Sequence, residues 1–218
     1  MSIRSTEPPE IGQLLEQSAG RHSHLCPRQV LGIRMGLLAG RSLGVDLPDN
    51  NKRLVTFVET DGCAADGVSV ATGCTVGGRT LRVVDFGKVA ATFVDVRVDQ
   101  AIRIVPRSGI REVAQVLAPR AKSRWHAQLE AYQIMPDSEL LAVQQVTLTV
   151  SLEKLLSKPG VRVYCEICSE EIINERETVV EGMVLCRACA GHAYYSELGQ
   201  TLTSDVCSGG AAFHLANL

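Results

Sequence analysis

The chain has 218 residues, a formal net charge of −2 at pH 7 and a hydrophobic fraction of 45%. This length suits one ordinary domain with a small additional module. The near-neutral charge gives no electrostatic reason to expect a nucleic-acid partner or an anionic membrane surface. Aromatic residues make up only 4% of the sequence, which further weakens a base-stacking function, and no apolar run is long enough to span a bilayer.

The first ten residues are polar and contain Pro8-Pro9, which is unlike a signal peptide. The chain also contains eight cysteines. We therefore expect a cytoplasmic protein whose thiols bind metal or are reactive, rather than a secreted disulfide scaffold.

The first half of the chain predicts two helices, a strand and a third helix. Residues 10–20 form an amphipathic pattern typical of a short helix. Pro27 suits the first turn of a second helix, which extends to about Leu43 and is apolar on most sides, as expected for a buried central helix. Residues 53–60 alternate as a strand does, and residues 64–72 predict a weak helix.

Gly32, Gly36 and Gly40 recur every four residues in the second predicted helix and fall on one of its faces. Each glycine lowers helix stability by about 1 kcal/mol relative to alanine. We expect the close approach of another backbone to offset this cost, either within the chain or between subunits.

The remainder of the core alternates strands and helices, so the predicted fold class is α+β, with a mixed helix and antiparallel-sheet core. The predicted strands are residues 81–86, 89–98, 101–106 and 143–152, and the predicted helices are residues 110–118 and 120–134. Trp125, Leu129 and Tyr132 recur at helical spacing, and we interpret them as core residues.

Two C-x-x-C pairs mark a small C-terminal module. They comprise Cys165, Cys168, Cys186 and Cys189. The spacing fits a tetrahedral four-thiolate zinc site, which is closed and structural. Residues 177–181 and 183–185 predict hairpin strands around Gly182. The predicted organisation is a core (1–157), a hinge, a zinc finger (161–200) and a tail (201–218).

A second cluster of metal ligands is predicted in the core. His22, His24 and Cys26 occupy alternate positions before the second helix, so an extended segment would direct all three into one cavity. The helix N-terminus would lower the pKa of the Cys26 thiol, and imidazole with thiolate suits zinc or another borderline metal. Cys63, at the start of the third helix, would complete an open site with a water. The alternative is an exposed loop with two solvated histidines and an inert cysteine.

Three further residues lie near this cluster in the predicted fold. Nine helical residues would place Cys74 roughly 13 Å from Cys63. Cys74 is therefore a small buried residue, a ligand reached through a bent helix, or a ligand supplied by a second subunit. Asp66 is the candidate general base, and Lys88 is a candidate clamp for an anionic group, with a solvated turn lysine as the alternative.

Several segments in order carry a family resemblance. They are His-Ser-His-Leu-Cys-Pro at 22–27, Leu-Gly-Ile-Arg-Met-Gly at 31–36, Glu-Thr-Asp-Gly-Cys-Ala-Ala-Asp at 59–66, Thr-Gly-Cys-Thr at 72–75 and Asp-Phe-Gly-Lys at 85–88. Over about residues 15–150 the chain resembles the FmdE family of formylmethanofuran dehydrogenase proteins, some members of which carry a C-terminal zinc finger.

The resemblance implies an α+β core that forms a homodimer and carries a metal. The site residues it implies are His22, His24, Cys26, Cys63, Asp66, Cys74 and Lys88. Ser23 and Arg28 stand where the family usually has glycine, and Arg28 adds a large cation at the helix start. The family name reflects an operon association with a molybdenum or tungsten enzyme. The resemblance therefore implies an accessory protein or metalloenzyme of formylmethanofuran or formate dehydrogenase-type metabolism.

Three functions remain open. The first is a metal protein, enzymatic or accessory, with a structural zinc in the finger and a second metal, expected to be zinc, at the core site. The second is a dimeric interaction module whose finger binds a protein, because six glutamates outnumber three arginines in residues 161–195 and would repel a phosphate backbone. The third is a thiol-redox protein that uses Cys26 and Cys63, with the pKa of each thiol lowered by a helix end.

Overall fold

The computed structural model describes residues 11–21, 24–152, 156 and 160–196. The chain forms two compact units, a core and a C-terminal module, which divide between residues 156 and 157. Within the described ranges, no helix combines the length and the apolar character that a membrane crossing requires.

Helices and a single sheet build the described part of the core. The helices are α1 (Ile11–Ala19), α2 (Pro27–Leu43), α3 (Cys63–Thr72), α4 (Ile110–Leu117), α5 (Arg124–Ile134) and α6 (Asp137–Leu140). The strands are β1 (Leu54–Val58), β2 (Leu81–Val83), β3 (Ala91–Asp95), β4 (Gln100–Pro106) and β5 (Leu141–Val146). The sheet order is β2-β1-β3-β4-β5. Neighbouring strands are antiparallel except for the parallel pair of β1 and β2. The α+β class is confirmed, and the sheet is mixed.

Helix α2 forms the centre of the main hydrophobic core, as its apolar character predicts. Its Ile33 and Met35 are fully buried, together with Ile102 and Ile104 of β4. Because side chains alternate along a strand, Ala101 of β4 points to the other face of the sheet, where it joins a smaller apolar cluster.

The last predicted strand of the core is wrong at its C-terminal end. The prediction covers residues 143–152, whereas β5 ends at Val146. Leu148 and Leu152 lie beyond it and pack against the smaller cluster around Val55 and Val94. Burial of these leucines on the second sheet face takes the place of further strand pairing.

The glycine face of α2 contacts α3 within the chain. A Cβ built on Gly32 would lie 2.2 Å from the carbonyl oxygen of Ala64, and one built on Gly67 would lie 2.3 Å from the carbonyl oxygen of Gln29. Glycine is therefore required on both sides of this helix crossing. The expected close backbone approach is confirmed, and at Gly32 it is intramolecular.

Four short strands form two hairpins in the C-terminal module. They are β6 (Arg162–Tyr164), β7 (Glu171–Ile173), β8 (Thr178–Val180) and β9 (Met183–Leu185). The pairs β6–β7 and β8–β9 are antiparallel. Between β8 and β9, Glu181 and Gly182 both have positive φ angles, 51° and 87°, as a type I′ hairpin turn requires. The predicted turn at Gly182 is confirmed.

Replacement of Gly32 or Gly67 by alanine is expected to lower the free energy of unfolding by about 1–3 kcal/mol or more, because the new methyl group would overlap a carbonyl oxygen of the facing helix. Urea denaturation followed by the fluorescence of Trp125, the single tryptophan of the chain, measures this loss. Gly12→Ala is the matched control. A Cβ at Gly12 meets nothing within 4 Å, so alanine there is expected to be neutral or stabilising. Equal effects at all three positions would contradict the prediction.

The buried carboxylate of Asp95, at the end of β3, is expected to make the stability of the core depend on pH. This carboxylate is fully buried and accepts hydrogen bonds from Arg53 Nη2 at 2.6 Å and from the Arg97 N–H at 3.0 Å. The hydrogen bond from Arg53 holds the pKa of Asp95 below its ordinary value of 3.8. The stabilisation is therefore complete above that value and is lost as the pH falls through the lowered folded-state pKa.

Asp95→Asn is accordingly expected to lower the free energy of unfolding at neutral pH. The difference from wild type is expected to narrow only in strong acid. Urea denaturation of both proteins from pH 7 downward, followed by Trp125 fluorescence, tests this. Asp99→Asn, at an exposed position, is the control. A difference in the free energy of unfolding that stays the same at every pH would show that the ionised carboxylate of Asp95 is not its cause.

Candidate functional site

Cys26 has an extended backbone conformation and is the N-cap residue of α2. Its backbone has φ −125° and ψ 157°, and its carbonyl oxygen accepts the N–H groups of Gln29 and Val30. The fully buried Gln29 side chain accepts the Cys26 N–H at 2.7 Å and donates to the Ser18 carbonyl oxygen at 2.8 Å. These bonds fix Cys26 between α1 and α2.

Cys63 is the first residue of α3 and follows Gly62, whose φ of 82° favours glycine. The Cys26 and Cys63 thiols lie close enough to influence each other electrostatically. Burial, and then the hydrogen bond and charge of Cys26, raise the pKa of Cys63, although Arg28 opposes this effect. The prediction that the helix end lowers the pKa of this thiol is therefore wrong, because burial and Cys26 outweigh it.

Both cysteines lie on the wall of a cleft of about 1120 Å³. Its lining comes from the starts of α2, α3 and α4, from the loops before them, and from α5. The lining residues are Cys26, Pro27, Arg28, Leu31, Thr60, Cys63, Gly87, Val89, Pro106, Arg107, Ser108, Gly109, Ile110, Arg111, Glu112, Trp125, Gln128 and Tyr132. A pocket of this size can admit a small molecule next to the two thiols.

The predicted histidine ligands have different positions relative to the described structure. His24 is exposed, and its ring centroid lies 6.1 Å from that of Trp125, which lines the cleft. His22 lies outside the described residues. Trp125 is 39% exposed, so its interpretation as a core residue is wrong. Tyr132 is buried, as predicted, but also lines the cleft.

Asp66 and Lys88 lie near the cleft without belonging to its lining. An Asp66 carboxylate oxygen is 3.9 Å from Arg21 Nη1, on the side of α3 that packs against α1. Lys88 is exposed, and its Nζ lies 6.0 Å from the centre of the Phe86 ring. Its backbone N–H donates to the Glu59 carbonyl oxygen at 3.1 Å, which holds the loop that contributes Gly87 to the lining. The roles of Asp66 as base and Lys88 as anion clamp remain predictions.

Cys74 is not brought to Cys63 within this chain. Helix α3 is continuous from Cys63 to Thr72, so the two cysteines lie at opposite ends of it. Cys74 is only 1% exposed, and its sulfur lies 3.4 Å from both the Leu54 carbonyl oxygen and the Thr56 hydroxyl. Its neighbours make it a buried core residue in this chain, and its role as a ligand supplied to a second subunit stays a prediction.

The four finger cysteines converge on one point. One sulfur atom from each of Cys165, Cys168, Cys186 and Cys189 lies within 4.8 Å of all the others. Elsewhere in the described residues, no group of three or more histidine, cysteine or acidic side chains is close enough to hold a metal. Four thiols at these separations suit a tetrahedral ion, so the module is positioned to bind a metal.

Backbone groups prepare this cluster for a cation. Burial opposes ionisation of Cys165, but the N–H groups of Cys168, Cys186 and Ile167 outweigh it and lower the pKa of its thiol to about 6. Burial, followed by hydrogen bonds with the other cysteines, raises the pKa of Cys189. The thiolate of Cys165 is thus stabilised by the backbone, whereas a bound cation would favour ionisation of Cys189 beside it.

Sequence reasoning noted Arg28 but missed Arg107 and Arg111 as residues of the cleft. Arg28 is the second residue of α2, and Arg111 is the second residue of α4. Positive charge is unfavourable at the positive end of a helix dipole. An arginine in the first turn of both helices was therefore a local signal that a site, rather than helix stability, selects these residues.

The comparisons with known proteins agree with this architecture. Residues 21–142, more than half of the chain, match the family model described as "FmdE, Molybdenum formylmethanofuran dehydrogenase operon". The chain belongs to the FmdE family.

Two similar proteins extend the comparison. A probable S-adenosyl-L-methionine-binding protein of Archaeoglobus fulgidus is 29% identical over 217 residues, with 88% of this chain and 56% of the relative aligned. This chain therefore spans little more than half of that relative's length. The crystal structure of a tungsten formylmethanofuran dehydrogenase FmdE-like protein from Syntrophus aciditrophicus has a TM-score of 0.58 and 20% identity, and covers 90% of this chain and 100% of that chain. At this identity the second likeness shows the fold alone.

Cys186→Ser is expected to remove one equivalent of bound metal per chain, because three thiolates cannot complete the tetrahedral site. Elemental analysis of the purified protein measures the loss. Cys207→Ser is the matched control, since Cys207 lies outside the described residues and the four-thiol cluster does not include it. Unchanged metal content in Cys186→Ser would show that the cluster holds no ion.

Proposed function

We propose that this FmdE-family protein binds a metal ion at the cleft of its core, through Cys26 and Cys63 together with His22 and His24. The observation that carries the proposal is that two neighbouring thiols, at the starts of different helices, line one cleft. His24 lies next to the cleft-lining Trp125, which supports its inclusion. Two thiolates with imidazole ligands form a donor set that zinc prefers.

The donor chemistry of the described residues fits a cation. Burial, and then the neighbouring Cys26, raise the pKa of Cys63, so a thiolate there is unfavourable without a counter-charge. A metal would supply Lewis acidity or an activated water at the cleft. The chain's own contribution is to hold the two thiols near each other at the starts of α2 and α3, with Cys26 fixed by the Gln29 hydrogen bonds.

The finger site is proposed to hold zinc with a structural role. Its four thiols leave no open coordination position. Because the described module has only a small apolar core around Cys165, Ile172 and Leu185, a bound ion would supply much of its stability.

The biological setting is proposed from the family. The description of the family model names the operon of a molybdenum formylmethanofuran dehydrogenase. We propose an accessory or enzymatic role in such metabolism, and a homodimer as the working form. Because Gly32 packs inside the chain, its surface cannot be the dimer contact. Light scattering of the full chain tests the dimer, and a monomeric mass would contradict it.

Elemental analysis of wild type and of the double variant Cys26→Ala/Cys63→Ala tests the metal site. We expect two equivalents of metal per chain in wild type and one in the variant, because the finger keeps its ion. Cys74→Ala is the control. It removes a buried thiol outside the cleft and is expected to retain both equivalents. A single equivalent in wild type and variant alike would refute the core metal site.

The same pair of neighbouring thiols supports a second candidate, a redox pair formed by Cys26 and Cys63. Both are free thiols in the structure. Disulfide formation and metal binding exclude each other at these sulfurs. The test counts accessible thiols after oxidation in metal-loaded and in metal-depleted protein. Only a redox pair would reversibly lose the two thiols of Cys26 and Cys63 while metal is bound in the finger.

A further inference from the structure

The cleft beside Cys26 and Cys63 concentrates positive charge in a chain whose overall charge is −2. Arg28, Arg107 and Arg111 line it, with Glu112 as the single acidic residue among the lining residues. All three arginines are exposed and line the same cleft. Guanidinium groups gathered in this way repel one another unless an anion lies between them.

These arginines differ from those used for structure elsewhere in the chain. Arg34, Arg53 and Arg103 each form an ion pair with a carboxylate. Within the part of the chain that the structure describes, none of the three cleft arginines does so. Arg107 donates only its Nε to the Leu141 carbonyl oxygen, at 3.1 Å. The planar donor edges of the cleft arginines thus remain available for a carboxylate or a phosphate.

A buried tyrosine in the same cleft offers a hydrogen-bond donor. Tyr132 is 1% exposed and lines the cleft. Its side chain lies within electrostatic reach of Arg111 and Glu112, and burial raises its pKa. The phenol therefore stays protonated, and an oxyanion bound next to Arg111 could accept its hydrogen bond.

The indole of Trp125 supplies an apolar wall. It is 39% exposed although it lines a cleft. Aromatic side chains in pockets contact planar rings at low entropic cost. The cleft volume of about 1120 Å³ exceeds what a bare inorganic anion requires and suits a ligand that combines a ring with charged groups.

We propose that this cleft binds a small molecule that carries an oxyanion, a phosphate or a carboxylate, on a planar ring. Arg28, Arg107 and Arg111 hold the oxyanion with the Tyr132 hydroxyl, and the ring lies against Trp125. The inference concerns the same cleft as the proposed metal site, but it depends on different side chains.

The experiment titrates the metal-loaded full chain with defined probes and follows Trp125, whose fluorescence reports on the cleft because it is the only tryptophan. AMP represents a phosphate on a ring, and trimesate represents carboxylates on a ring. Adenosine provides the same ring as AMP without the anion. Saturable quenching by AMP, by trimesate or by both, and none by adenosine, is expected. The more tightly bound of the two identifies the oxyanion.

Two variants and their controls assign the binding to the cleft. Arg111→Ala and Tyr132→Phe are each expected to weaken binding by about tenfold or more, as the loss of a charge-assisted hydrogen bond does. Arg120→Ala removes the same charge from an exposed residue outside the cleft lining, and Tyr164→Phe removes an exposed hydroxyl in the finger. Both controls are expected to bind as wild type does. Tyr132→Phe keeps the ring, so it preserves the packing of the core.

The outcomes separate this inference from the metal site. Metal content is measured in the same samples, and Arg111→Ala and Tyr132→Phe are expected to keep the wild-type value. Absence of binding of both ring anions, or equal losses in the cleft variants and their controls, would overturn the oxyanion site and leave the metal proposal intact. Loss of metal in Cys26→Ala/Cys63→Ala has no bearing on the arginine contacts. Addition of Arg111→Ala to that double variant is expected to lower its affinity for AMP or trimesate, as it does in wild type.

Discussion

The backbone contact between α2 and α3 is the constraint on which the site depends. Gly32 packs on the carbonyl of Ala64, and Gly67 packs on the carbonyl of Gln29. Ala64 directly follows Cys63, and Gln29 comes three residues after Cys26. The crossing point therefore lies within one turn of both thiols, which brings them near each other on one cleft wall. A larger residue at either glycine would separate the helix starts as well as weaken the core.

This crossing also explains why the cleft lies at the helix starts. Cys26 before α2 and the Gly62 turn before α3 lie on the same side of the crossing, because both helices begin there. The loop before α4 approaches from the sheet, where the Arg107 N–H donates to the Leu140 carbonyl oxygen. Three helix beginnings thus surround one space, and Arg28 and Arg111, each in a first turn, line it.

The sequence was informative where local rules decide the outcome and uninformative where distant segments meet. Pro27 and the apolar run after it predicted α2 and its approximate end, and the glycine at position 182 predicted the turn of the finger hairpin. The cleft joins residues from position 26 to position 132, and no periodicity in one segment can show that Trp125 lines this cleft rather than the core. For Cys74, helical spacing predicted its separation from Cys63 and left a small buried residue as one alternative, but it could not show the enclosure by Leu54 and Thr56.

The two groups of cysteines differ in what stabilises negative charge on sulfur. In the finger, three backbone N–H groups lower the pKa of Cys165 to about 6, so the fold itself prepares a thiolate for a permanent ion. In the core, burial and the neighbouring thiol raise the pKa of Cys63, and the opposing charge of Arg28 comes from a side chain that faces the open cleft. A ligand bound to Arg28 would reduce the stabilisation that Arg28 gives to the Cys63 thiolate. The charge state of the Cys63 thiol is therefore coupled to what occupies the cleft, whereas that of Cys165 is set by backbone N–H groups within the finger.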